Sequence, residues 1–200
     1  MNSAIARAFL IITISLSCIA VSARPWRLAD AVKHPVPFLA GMATGVGVHE
    51  LGHITLASAE GYSVEVHHLA IMYAGKAMTP RDHAEIASAG YQAQWVLSEA
   101  VLRNHEDHHP TQPMPDFQAG MVMGHIAISA AYLTVLRNNP DGDLRGIHDA
   151  TGLSTWSMAL MLAVPAALDY WRLTGRNVPR WVPALSIGCK GAAMGAIWTY

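Results

Sequence analysis

Charge is scarce in this chain. Lys and Arg number 13, Asp and Glu 14, and together they make up 14% of 200 residues with a formal charge of -1. Soluble domains carry about 25% charged residues. Without a basic face to neutralise phosphates, the sequence excludes nucleic acid as a partner. Cysteine is nearly absent: Cys18 and Cys189, both in apolar surroundings, make neither a disulfide framework nor a thiolate metal site. No internal repeat or low-complexity tract is present, and the length suits one domain.

What the chain does have is apolar residues, 52% of the total, and 11 histidines. Apolar windows fall near residues 4–23, 36–60, 86–102, 118–136, 153–173 and 181–200, each close to the roughly 20 residues that cross a bilayer. The expected fold is therefore an all-α polytopic membrane protein of five to six transmembrane helices, integral to a cell inner or plasma membrane, with the lipid bilayer as its surroundings. Residues 1–23 read as a first transmembrane helix or signal anchor, or as a cleaved secretory leader. Residues 24–200 form the membrane-embedded domain. Between windows, Val64 and Val66 alternate as in a short β-hairpin within 62–79. The prolines of 103–117 mark a loop, and Asn-Pro and Asp-Gly open a turn in 137–150.

Glu99 and Lys190 lie inside such windows, where charges mark a protein interior rather than lipid contact. A more telling exception is "GVGVHELGHITLASAEG", residues 45–61. On a helix, His49 and His53 stack on one face and can offer nitrogens to one zinc ion, while Glu50 lies about 100° round and reaches a water there. Zinc brings that water's pKa toward about 7, and a carboxylate beside it acts as general base. A hydrolytic zinc needs a third protein ligand. Glu99, Asp141, Asp143 and Asp149 are the candidates.

"HELGH" in an apolar helix, followed by "GYSVEV" as a strand, resembles the site-2 protease family of intramembrane zinc metalloproteases. "IASAGYQAQW" (86–95) resembles that family's Ala-Gly-Pro-x-x-Asn helix, with Tyr91 at the proline position and Gln94 at the asparagine position. "NNPDGDLRGIHDATG" (138–152) is similar to the late segment that supplies an aspartate ligand. The resemblance implies Zn2+ held by His49, His53 and Asp143, with Asp141 the alternative third ligand. It implies Glu50 as catalytic base and Gln94 as a contact to substrate or oxyanion. The function it implies is hydrolysis of peptide bonds in a membrane-anchored protein or peptide substrate, with a regulatory membrane partner as a further expectation.

A second class of function comes from "NHEDHH". His105, His108 and His109 form HxxHH, and with the HxxxH of His49 and His53 they resemble two of the three histidine boxes of membrane di-iron desaturases and hydroxylases. Such a centre needs about eight nitrogen ligands. After residue 109 only His125 and His148 remain. A non-catalytic metal-binding membrane protein is the third reading.

Overall fold

The computed structural model describes residues 25–67, 70–140 and 142–199. The leader or first helix expected at 1–23, and Asp141, lie outside them. The described chain is mainly helical: α1 (Leu28–Ala31), α2 (Pro35–Ala59), a hairpin of β1 (Ser63–His67) and β2 (Ala70–Ala74), α3 (Pro80–His108), α4 (Asp116–Leu133), α5 (Asp143–Thr151), α6 (Thr155–Thr174) and α7 (Trp181–Trp198).

Local chemistry sets several boundaries. Pro35 and Pro80 open α2 and α3, where a missing N–H costs nothing. The Thr79 side chain accepts from the Asp82 N–H and caps α3. Ser154 does the same for α6 through the Ser157 N–H. Gly152, at φ +74°, ends α5 in the left-handed conformation that glycine adopts without penalty. The hairpin is antiparallel with Val64 opposite Tyr73, as the alternation implies. Helix α3 runs on to His108, well into the stretch expected as a loop, because the prolines begin only at Pro110.

The expectation of a membrane-spanning bundle is not met. Among the described residues, no helix is long and apolar enough to cross a membrane, and the integral-membrane location falls with it. The reason lies in what interrupts each window. Polar groups interrupt the apolar run of each helix: His49, Glu50 and His53 in α2, Glu99 and Arg103 in α3, Asp169 and Arg172 in α6, and Lys190 in α7. The window at 118–136 overruns α4, which ends at Leu133 and begins with Asp116. Apolar residues are thus divided between core positions and exposed ones, such as Leu51, Leu160 and Leu185.

Packing forms three apolar clusters, the smallest of them Ala57, Tyr62 and Ile86 beside the hairpin. One cluster joins Tyr91 and Trp95 of α3, Tyr132 of α4, Leu144 and Ile147 of α5, Met158 and Leu162 of α6, and Ile197 of α7. Another holds Trp26, Leu102, Met114, Val122 and Leu173. Helices α2 and α4 meet backbone to backbone: a Cβ on Gly41 would stand 2.0 Å from the Phe117 carbonyl oxygen, and one on Gly120 2.2 Å from that of Phe38. Only glycine permits that approach.

The charges inside the windows do find a protein interior. Asp169, fully buried, meets Lys190 Nζ at 2.6 Å, Ser186 Oγ at 2.7 Å and Arg172 at 3.4 Å. Arg172 also reaches Glu99 at 2.7 Å and Glu106 at 2.9 Å, and Arg103 reaches Glu99 at 2.9 Å. Three carboxylates thus face three cations, which is how buried charge is tolerated.

Candidate metal centre

Helix α2 turns His49 and His53 to one face, and both are buried. Helix α3 closes over them. A Cβ on Gly90 would stand 2.3 Å from His53 Nε2 and 2.7 Å from His49 Nε2, so the absence of a side chain at Gly90 makes room for the two rings. The third arm comes from α5, whose first residue is Asp143. Leu144 and Ile147, fully buried, anchor that short helix in the core cluster.

Three atoms converge. His49 Nε2 and His53 Nε2 lie 3.1 Å apart, and Asp143 Oδ2 is 3.1 Å from the first and 3.4 Å from the second. A tetrahedral zinc with bonds of about 2.0–2.1 Å has ligand-to-ligand edges of about 3.3–3.4 Å. The observed triangle is within about 0.3 Å of that figure on every side.

The far nitrogens decide what the near ones carry. His53 Nδ1 is 2.7 Å from the Ile86 carbonyl oxygen, which only accepts, so Nδ1 holds the proton and donates. His49 Nδ1 is 3.2 Å from Gln94 Oε1. The Gln94 amide cannot be reversed, because its Nε2 donates to the Gly45 carbonyl at 3.1 Å. His49 Nδ1 is therefore a donor as well. Nε2 is then the atom through which each ring, when neutral, offers a lone pair, and it faces the other ring and a carboxylate oxygen. Three acceptors facing one point in a buried space require a cation or a proton there.

Electrostatics agree with this arrangement. Burial works against the charged form of His53, yet the Asp143 carboxylate outweighs it and the pKa is raised. Burial alone would raise the Asp143 carboxyl, but the two histidines hold it well below the ordinary carboxylate range. Glu50 follows His49 on α2 and is exposed. Its charge, after burial and that of Asp143, helps push the Tyr73 phenol on β2 up to about 12.

Among the described residues, His49, His53 and Asp143 are the group placed to hold a metal ion. Gln94, expected at substrate or oxyanion, has both ends of its amide engaged by His49 and Gly45. Glu99 belongs to the ion-pair network, and Asp149 pairs with Arg145 at 2.9 Å on an exposed face. The HxxHH histidines are elsewhere. His105 is 15 residues beyond Gly90 on α3, about 22 Å along the axis at ~1.5 Å per residue. Its Nε2 is 3.1 Å from the Gln112 carbonyl oxygen, and His108 Nδ1 is 3.0 Å from that of Asn104. The two histidine boxes do not meet.

Sequence reasoning missed Tyr132, which donates a hydrogen bond to Asp143 Oδ2. No motif marks it. Its place near the end of α4, 11 residues before Asp143 across a turn, is the only signal. The Ile86 carbonyl, a backbone group, has none. Comparison with protein-family models, with curated proteins and with solved structures gives no match.

Proposed function

We infer that this chain is a zinc-dependent hydrolase acting on peptide bonds, with His49, His53 and Asp143 holding one zinc and Glu50 as general base. The observation that carries the reading is the triangle of three acceptors whose tautomers are fixed from behind by Gln94 and Ile86. The HELGH spacing, and the arrival of a late aspartate at it, are the parts of the site-2 protease resemblance on which it draws. Zinc, when bound, supplies Lewis acidity and lowers the pKa of water toward about 7.

The protein's own groups do the rest. His49 and His53 would present Nε2 to the ion, because their Nδ1 positions carry the protons directed at Gln94 and Ile86. Asp143 would supply negative charge as the third protein ligand, and a hydrolytic zinc held by three protein groups would still admit water or substrate. Glu50, exposed and next to His49 in the chain, is the group that would accept a proton from the attacking water. It returns that proton to the leaving nitrogen as the C–N bond breaks. The substrate class is a polypeptide amide.

The test is cleavage of a mixture of unstructured peptides by the full chain loaded with zinc, read as new N-termini by mass spectrometry. Glu50→Gln should abolish cleavage with zinc still bound, and His49→Ala should lose both. Retained cleavage in Glu50→Gln would remove the general-base assignment. Absence of zinc from the unaltered chain would remove the reading altogether.

A further inference from the structure

Each of the three converging groups has one partner behind it, and the three partners come from different places. His49 has Gln94, His53 has the Ile86 carbonyl, and Asp143 has Tyr132. We propose that Tyr132 is a positioning residue for the metal centre, holding Asp143 Oδ2 at the point where the two imidazole lone pairs meet. The inference rests on the zinc-site reading above and deepens it.

Asp143 needs such an anchor. It is the first residue of α5, follows Gly142 and a run of turns, and Gly142 provides no side-chain cap. Its side chain is 19% exposed. Among the described residues, Tyr132 is its one hydrogen-bond donor apart from the imidazoles. A carboxylate so placed has rotamers to lose on binding an ion, and outer partners remove that freedom beforehand.

Tyr132 suits the task in two ways. Its ring is 6% exposed and packed in the cluster of Tyr91, Trp95 and Leu144, so the hydroxyl has few alternative positions. Its donor is neutral. Lysine or arginine in its place would offset the carboxylate's charge and oppose a cation, whereas a phenol leaves that charge available. The same Oδ2 accepts from Tyr132 and lies nearest both histidine nitrogens, so the hydroxyl steers the very atom that faces the site.

The experiment titrates zinc into the metal-free full chain against a chromogenic chelator. It compares the unaltered chain, Tyr132→Phe, and a chain with p-aminophenylalanine at 132, which returns an N–H donor to the same ring position. Tyr132→Phe keeps the buried ring, and far-UV circular dichroism checks its fold. Loss of an outer partner weakens metal binding by about 10- to 100-fold. That loss is expected for Phe, with recovery of most of it by the amino variant.

An affinity for Tyr132→Phe within twofold of the unaltered chain overturns the inference. So does failure of the amino variant to recover binding, since the loss would then come from packing. Absence of zinc binding by the unaltered chain overturns the site itself, a result distinguishable from the other two.

Discussion

Adding one methyl group at Gly90 should dismantle the centre without unfolding the protein. A Cβ there would be 2.3 Å from His53 Nε2, 2.6 Å from His49 Cε1 and 2.7 Å from His49 Nε2. Reaching ordinary contact near 3.4 Å requires the His53 ring or α3 to move by about 1 Å, while metal–ligand distances tolerate about 0.2 Å. The rings cannot swing freely, because Ile86 and Gln94 hold them from behind. Misplacement by about 1 Å costs catalysis on the order of 10²-fold, and zinc affinity should fall at least as far. Alanine is meanwhile the better helix former by about 1 kcal/mol, which offsets part of the strain. Gly47, on α2, has nothing within 4 Å of where a Cβ would stand and supplies the control: Gly47→Ala should bind zinc as the unaltered chain does. The assay is thermal unfolding with and without zinc at about 100 times the unaltered chain's Kd, where binding stabilises by about 2.7 kcal/mol. Gly90→Ala should lose most of that increment and Gly47→Ala none. Equal stabilisation of all three proteins would refute the assignment of Gly90 as the space-maker for a metal site.

Further outcomes test other parts of the structure. Gln94→Ala frees the His49 tautomer and should weaken zinc about 10- to 100-fold, measured by chelator competition; an unchanged Kd would mean that the amide orients nothing. Lys190→Met strips Asp169 of its closest cation and should destabilise by about 3–5 kcal/mol in urea unfolding, whereas Arg145→Ala, from an exposed pair with Asp149, should cost under about 1 kcal/mol. Burial alone would raise the Asp169 carboxyl, but His125 at 3.5 Å, Lys190 and Arg172 depress it. A depressed carboxyl adds stability above the unfolded value near 3.9 and loses it as pH falls toward the folded value. Urea midpoints should therefore drop below about pH 4, and a flat profile there would count against the buried network.

Much of the candidate site was legible because its signal is local. His49 and His53 are one helical turn apart, and that spacing alone puts both rings on one face. Asp143 was reachable through the resemblance of its segment to a family's late aspartate ligand, while the Asp-Gly turn before it pointed to Asp141. Gln94 was legible as a residue but not as a role, because only the fold shows both ends of its amide already committed. Tyr132 and the Ile86 carbonyl carry no pattern. The bundle itself was misread for a related reason: Glu99 and Lys190 were legible as marks of a protein interior, but they and Asp169 have partners up to 91 residues away, so the network that joins them left no local pattern. In the structure they form the ionic centre of a helical bundle, and among the described residues no helix is long and apolar enough to cross a membrane.

If three acceptors meet at one point in order to hold a divalent cation, the ion's own coordination shell should report it. X-ray absorption at the zinc edge, on the full chain reconstituted with one equivalent, reads that shell. Stoichiometric zinc is expected, with two imidazole nitrogens and oxygen donors at about 2.0–2.1 Å, and it should be lost on Asp143→Ala. Zinc that binds equally well to Asp143→Ala, and disappears only when His105, His108 and His109 are replaced together, would contradict the site.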